Sequence, residues 1–271
     1  MDSTGDELLR LILQNRQDDL PRLIYADWLD ERFRLLNDPV LEARAEFIRL
    51  QIALEAGKID QLERQAFRRE LHLRQTYGAL WAGELLNQAA DWNFKRGFIH
   101  HLQMDARRFL DLHEELAFNH PLEHLHLFWG METPRERADD LRRIASVDLL
   151  RNLYSIDLSG AGVGSDGVAN LAASSQIEKL RELVLPGNRI GSRGLKAILE
   201  APWFGTLEKI DLADNEIDLK AVRILHDHFA RIRSHGEIPV LERIDLRGNP
   251  LRVAGVRLLS RTPNLARLVR W

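Results

Sequence analysis

Between Leu180 and Leu259 the same order of apolar and polar positions is laid down three times. "LRELVLPGNRIGSRGLKAIL", "LEKIDLADNEIDLKAVRIL" and "LERIDLRGNPLRVAGVRLL" align without gaps through their Asn. Each begins with Leu or Ile at offsets 0, 3 and 5, which predicts a short strand whose +3 and +5 side chains point into a core, and each continues with a three-to-four spacing that predicts a helix. Units start at Leu180, Leu207 and Leu241, and weaker copies start at Leu153, Leu122, Ile99 and Leu265. The intervals between starts, from Ile99 onward, are 23, 31, 27, 27, 34 and 24 residues. Asn188, Asn215 and Asn249 stand at +8, where the chain leaves the strand and an amide can bond backbone groups. Ala161 and Gly130 hold that place in the Leu153 and Leu122 units, so those coils are expected to be less regular.

Residues 1–91 show no such repeat, and their apolar positions follow the helical period. Leu8, Leu9, Leu11, Ile12 and Leu13 predict one helix, and Leu20, Leu23, Ile24, Trp28 and Leu29 predict a second. Asp18 or Asp19 can cap the second, and Pro21 suits its first turn. This phase turns Trp28, with Ile24 and Leu20 behind it, to the core, and turns Asp27, Asp30 and Glu31 of "YADWLDERF" to solvent. Phe47, Ile48, Leu50 and Leu54 predict a third helix ended by Gly57. Leu62, Phe67, Leu71 and Leu73 predict a fourth, and Asn37, Asp38 and Pro39 mark a turn between the second and third.

Two family resemblances follow. The segments "DDLPRLIYADWLDER", "RAEFIRLQIAL", "RRELHLRQTYGALW" and "FKRGFIHHLQM" resemble the repeat-companion domain of planctomycete-type bacteria, a small module that precedes leucine-rich repeats; this chain has a longer spacer, "FRLLNDPVLEA". The units from Ile99 onward follow the leucine-rich repeat pattern, and their length near 27–28 residues with a helical second half resembles the ribonuclease-inhibitor subclass. The resemblance implies an α/β architecture: a helical module over residues 1–91 capping a short repeat solenoid over 92–271, with five to seven units, parallel strands on the concave side and helices on the convex side. It implies no activity.

Composition narrows the function. With 45% hydrophobic and 29% charged residues the chain is an ordinary globular one. Its net charge is −3, residues 1–98 carry 17 acids against 14 Lys/Arg, and the remainder carries 24 against 24, so neither half is a basic module for nucleic acid. Without cysteine there is no disulfide, thiol nucleophile or thiolate metal site. No apolar run is long enough to span a membrane and the polar start is not a signal peptide, so a cytoplasmic location is expected.

Side chains at +2, +4 and +6 alternate with the buried ones and line the concave face. From Ile99 onward the +2 column is His101, His124, Ser155, Glu182, Lys209, Arg243 and Arg267; the +4 column is Gln103, His126, Asp157, Val184, Asp211, Asp245 and Val269. The +6 column includes Phe128, Ser159, Pro186, Ala213, Arg247 and Trp271. This mixed surface suits a protein partner, with Asp157, Glu182, Lys209, Asp211, Arg243, Asp245 and Arg247 as contacts. Residues 265–271 are expected as a terminal strand whose open edge meets a partner or a second copy through Arg270 and Trp271.

Enzymatic templates are absent: there is no GxSxG, P-loop, HExxH or dinucleotide fingerprint. The glycine-rich "SGAGVGSDG" lies at a strand-to-helix turn, with no Lys after it to hold a phosphate. His101, His124, His126 and Asp157 are the one set that could ligate Zn²⁺ or Ni²⁺, although neighbouring side chains on a sheet point too parallel to converge. The expected function is therefore a non-enzymatic interaction or scaffold subunit without cofactor, within a larger assembly. A regulatory or inhibitory subunit is the alternative, and a metal-dependent enzyme using the histidines ranks below it.

Overall fold

The computed structural model describes residues 3–57, 63–83, 89–234, 240–262 and 265–271; Leu62 of the fourth expected helix lies outside them. Among the described residues there are eleven α-helices and eight short strands. They fall into two compact units, one holding the described residues up to Leu102 with Glu114–Leu122, the other Gln103–His113 with Glu123–Trp271.

In the first unit, α1 (Ser3–Gln14), α2 (Leu20–Leu36), α3 (Pro39–Glu55) and α4 (Glu63–Ala82) precede β1 (Asp91–Lys95) and β2 (Phe98–Asp105). The cap of α2 comes from Asp18, whose carboxylate accepts the Leu20 N–H at 3.0 Å, while Asp19 makes no side-chain cap. A turn of only two residues separates α2 from α3: Asn37 ends α2 in the left-handed region, and Asp38 caps α3 by accepting the Val40 N–H at 2.9 Å. The buried stripe of α2 is Arg22, Ala26 and Leu29, flanked by half-buried Tyr25 and Trp28. Leu20 and Ile24, expected to lead into the core, are 60% and 43% exposed. The reason is the neighbour: α1 brings Gly5 so close to Trp28 that a Cβ there would sit 2.7 Å from the indole, which fixes the rotation of α2 about its axis.

β1 and β2 are sheet neighbours joined by Arg96 and Gly97, both at positive φ, the conformation of a two-residue hairpin turn. With a boundary expected at 91/92 this hairpin would start the repeats, yet up to Leu102 it packs with the helices. Arg96 donates to the Glu55 carboxylate at 2.9 Å and to the Gln17 carbonyl at 2.9 Å, and the Gln51 side chain accepts the Gly97 N–H at 2.7 Å. Gly97 lies on Ile48, where a Cβ would come within 2.3 Å of the side chain. Ile48 and Phe98 are fully buried beneath this contact.

In the second unit a strand, a turn and a helix recur: β3 (His124–Phe128), α6 (Pro134–Ile144), β4 (Ser155–Asp157), α7 (Gly164–Ala172), β5 (Glu182–Val184) and α8 (Gly191–Leu199), then β6 (Lys209–Asp211), α9 (Leu219–Ser234), β7 (Arg243–Asp245) and α10 (Arg252–Arg261). The stretch between β2 and β3 is α5 (Ala106–Asn119). Strands β3 to β7 pair in parallel in chain order, and helices α6 to α10 pack neighbour against neighbour. The aliphatic side chains at 0, +3 and +5 of the units at Leu122, Leu153, Leu180, Leu207 and Leu241 are all buried, each contributing about 1.5–3 kcal/mol.

One further column was legible in the sequence and carries the turn into the helix. Val163, Ile190, Ile217 and Leu251 at +10 are buried, and four residues on stand Gly167, Gly194, Ala221 and Gly255. A Cβ at Gly194 would lie 2.3 Å from Ile190, so a small residue is required where the helix crosses that side chain.

The end of the chain departs from expectation. Leu265–Leu268 forms a helical turn, α11, and only Val269–Arg270 is strand, β8. The spacing of buried Leu265 from Leu268 and Val269 is helical, three and four residues, and the turn advances the register by one. Val269 pairs with Ile244 and Arg270 with Asp245, so Arg270, not Val269, occupies the +4 column.

Candidate functional site

The turns after β5, β6 and β7 are built by the expected asparagines, and Asn188 reaches back to the turn after β4. The Asn188 amide donates to the carbonyls of Leu158 at 2.7 Å and Leu185 at 2.9 Å, and its oxygen accepts the Val163 N–H at 3.2 Å. The Asn215 amide donates to Leu185 and Ala213, and its oxygen accepts the Asn188 N–H at 2.9 Å. Asn249 repeats this one unit on, donating to Leu212 and Leu246 and accepting the N–H of Asn215 at 2.8 Å and of Ile217 at 2.9 Å. Each side chain thus satisfies backbone groups of two successive units, and around the fully buried Asn188 and Asn215 an unpaired group would cost about 1–3 kcal/mol. The glycine-rich turn at Ser159–Gly167 joins the same ladder: Gly160 and Gly164 N–H donate to the carbonyls of Pro186 and Asn188. Those donors are used by the next unit and do not face a phosphate.

These turns hold the strand face that carries the candidate residues. Register places His124, Ser155, Glu182, Lys209 and Arg243 in one row across the strands, and His126, Asp157, Val184, Asp211, Asp245 and Arg270 in the next. Three carboxylates of the second row have a local task, because each accepts the N–H two residues on: Asp157 from Ser159 at 2.8 Å, Asp211 from Ala213 at 2.9 Å and Asp245 from Arg247 at 3.1 Å.

Asp245 goes further and leaves the set of available contacts. Its residue is 4% exposed, and Arg247 grips both oxygens through Nε at 2.9 and 3.0 Å and Nη2 at 2.7 Å. Burial pushes its pKa up, but the Arg247 side chain and N–H, with the Arg270 charge, outweigh it and lower the pKa. Asp157 and Asp211 remain half-buried, Arg247 and Arg270 are exposed, and Trp271 is 42% exposed. Glu182, Lys209 and Arg243 are half-buried and form no ion pair among the described residues.

Of the expected metal ligands, His126 and Asp157 face each other with Nδ1 and Oδ2 3.9 Å apart, beyond a hydrogen bond. His124 lies two residues back on β3, and His101 lies on the β2 segment of the first unit. Among the described residues no three His, Asp or Glu side chains converge as a metal site, and no helix is long and apolar enough to cross a membrane.

A second charged cluster, not foreseen from the sequence, surrounds Arg107 at the start of α5. It reaches Asp140 at 3.1 Å, Glu136 at 3.2 Å and Glu132 at 3.5 Å, and Asp140 also accepts the Trp129 indole N–H at 3.1 Å. Glu136 closes a capping box with Thr133 at the head of α6. The Thr133 N–H and hydroxyl, then Arg107, hold its pKa down at about 2. Apart from Glu132 Oε2, which is buried without a hydrogen-bond partner among the described residues, these groups satisfy one another and anchor the start of α6.

A family model described as "Leucine Rich repeat" matches residues 176–199, which run into β5 and through α8. No curated protein matches the chain significantly. The match supports leucine-rich repeats in the second unit, where a strand, a turn and a helix recur.

Proposed function

We propose that the second unit is a leucine-rich repeat solenoid of the ribonuclease-inhibitor type, that the first is a planctomycete-type repeat-companion module, and that together they form a non-enzymatic interaction or scaffold subunit of a larger assembly. The observation that carries this is the strand face. Five successive parallel strands hold polar and charged side chains in matched rows above a fully apolar layer, and the asparagine ladder ties the turns after β4 to β7 to one another. A surface ordered by folding loses little further conformational entropy on binding, which favours a protein partner. The leucine-rich repeat match supports a protein-interaction role.

The contacts proposed are Asp157, Glu182, Lys209, Asp211, Arg243, Arg247, Arg270 and Trp271 around the apolar centre at Val184. The test is co-purification with the full chain from the cells that make it. Val184→Arg puts a bulky charge at the centre of the face and is expected to remove the partner that the native chain retains, with circular dichroism unchanged. Undiminished retention by the Val184→Arg chain overturns the proposal.

A further inference from the structure

The charges of the strand face are not mixed evenly. Over β6 to β8 it carries Lys209, Arg243, Arg247 and Arg270 against Asp211 and Asp245, whereas over β4 and β5 it carries Asp157 and Glu182. Asp245 is already consumed by Arg247, and one oxygen of Asp211 is held by the Ala213 N–H. That leaves Lys209 and Arg243 as direct partners in register on adjacent strands, their backbones about 4.8 Å apart. Like charges opposite one another on one face repel. Glu182 is the register partner of Lys209 on its other side, yet no carboxylate lies within 4.0 Å of either cation among the described residues.

Two half-buried cations side by side, with the nearest acids committed elsewhere or out of contact, form a cationic patch matched to an anion. Building on the proposal that the strand face is the binding surface, we infer that β6 and β7 receive an acidic segment of the protein partner, its carboxylates seated between Lys209 and Arg243. Arg270, in the next row, extends the cationic side. The acidic rim at Asp157 and Glu182 sets polarity: it repels a uniformly anionic polymer running across the whole face, such as a nucleic acid strand, and admits a segment whose acids stop at β6.

The test uses the full chain and four fluorescently labelled probes at low salt: a Glu-rich peptide, its Gln analogue, a Lys-rich peptide and a single-stranded oligonucleotide of equal charge to the Glu peptide. The Glu peptide is expected to bind at least about tenfold more tightly than its Gln analogue, the value of one charge-assisted contact, and more tightly than the other two. Lys209→Gln/Arg243→Gln is expected to abolish that margin, whereas Arg223→Gln on α9 leaves it intact. An unchanged margin in the double variant, or an oligonucleotide that binds as well as the Glu peptide, overturns the inference. Partner capture separates the two proposals. Loss with Val184→Arg but not with Lys209→Gln/Arg243→Gln leaves the face as binding surface and removes the acidic segment; loss with neither removes the face itself.

Discussion

The two units bury polar groups in opposite ways. The second buries amides: Asn188 and Asn215, both fully buried, spend every polar atom on backbone groups. The first buries guanidiniums. Arg22 donates to the carbonyls of Asp18 and Arg16 at 2.7 Å. Arg44 sits 5.0 Å from the Trp81 ring centre and 5.2 Å from those of Phe94 and Phe98, with no carboxylate within 4.0 Å among the described residues and no acceptor for Nη1. Burial lowers its pKa to about 10, so it stays charged at neutral pH and is held by ring faces. A neutral amide with two donors and an acceptor can be copied from unit to unit because the backbone it serves is the same each time. A caged cation needs aromatic rings from several unrelated segments, so it occurs once.

That contrast can be broken most sharply in the first unit, where the packing is unique. Gly97→Ala places a Cβ on Ile48 at a positive φ, and the loss is expected to reach about 2–5 kcal/mol, read as a shifted midpoint in urea with tryptophan fluorescence. An unchanged midpoint would show that the hairpin is not seated on α3 in this way.

The next test sets the two kinds of buried polar group side by side. Asn215→Leu strands the Leu185 and Ala213 carbonyls and the Asn188 N–H, with an expected cost of about 2–4 kcal/mol. Arg44→Met replaces an unpaired buried cation by an apolar chain of similar length and is expected to be neutral or stabilising by about 1 kcal/mol. Thermal unfolding of both variants checks the difference in sign; an Arg44→Met loss as large as that of Asn215→Leu would mean that the ring cage holds the cation more strongly than an amide ladder holds its carbonyls.

The last effect is one of pH, and over the range from pH 7 to 5 it reaches about 2 kcal/mol. His120 lies in the first unit with its ring donating to the Ala82 carbonyl; burial, then the nearby Arg44 charge, drive its pKa down from 6.5 to about 3. The folded state keeps it neutral while the unfolded chain protonates below pH 6.5, so stability falls as pH drops from 6.5 toward 3, by at most about 1.4 kcal/mol per pH unit. His120→Gln should flatten that part of the profile in denaturant titrations at pH 7, 6 and 5. A wild-type profile already flat across this range would count against a neutral buried imidazole.

Much of the second unit was legible because a repeat is its own control: the leucine columns, the asparagine turns and the rows of the strand face all follow from aligning three segments. The same alignment offered the +10 and +14 columns, whose meaning emerges only when a helix is seen crossing its own turn at Gly194. It could not foresee Asp245, since the sequence gives Asp157, Asp211 and Asp245 the same offset and only a side chain two residues on, Arg247 in place of Ser159 or Ala213, locks one of them. In the first unit helical periodicity located all four helices and set Trp28 toward the core with Asp27 and Glu31 outside, but it wrongly placed Leu20 and Ile24 in the core, because one helix's spacing cannot say where its neighbour lies.

By itself, then, the sequence determined what depends on local order along the chain: helix against strand, the inward and outward alternation of each strand, and the residue type that each turn demands. Tertiary structure alone decided what depends on segments far apart meeting. It seated the β1–β2 hairpin on α3 through Gly97 and Gln51, caged Arg44 between Trp81, Phe94 and Phe98, shifted β8 by one residue behind a helical turn, and left Lys209 beside Arg243 without a carboxylate. The physical reason is common to all four. Periodicity is set by the backbone geometry of each residue and its near neighbours, whereas burial, pairing and the fate of a charge are set by whichever distant side chain occupies the space beside it.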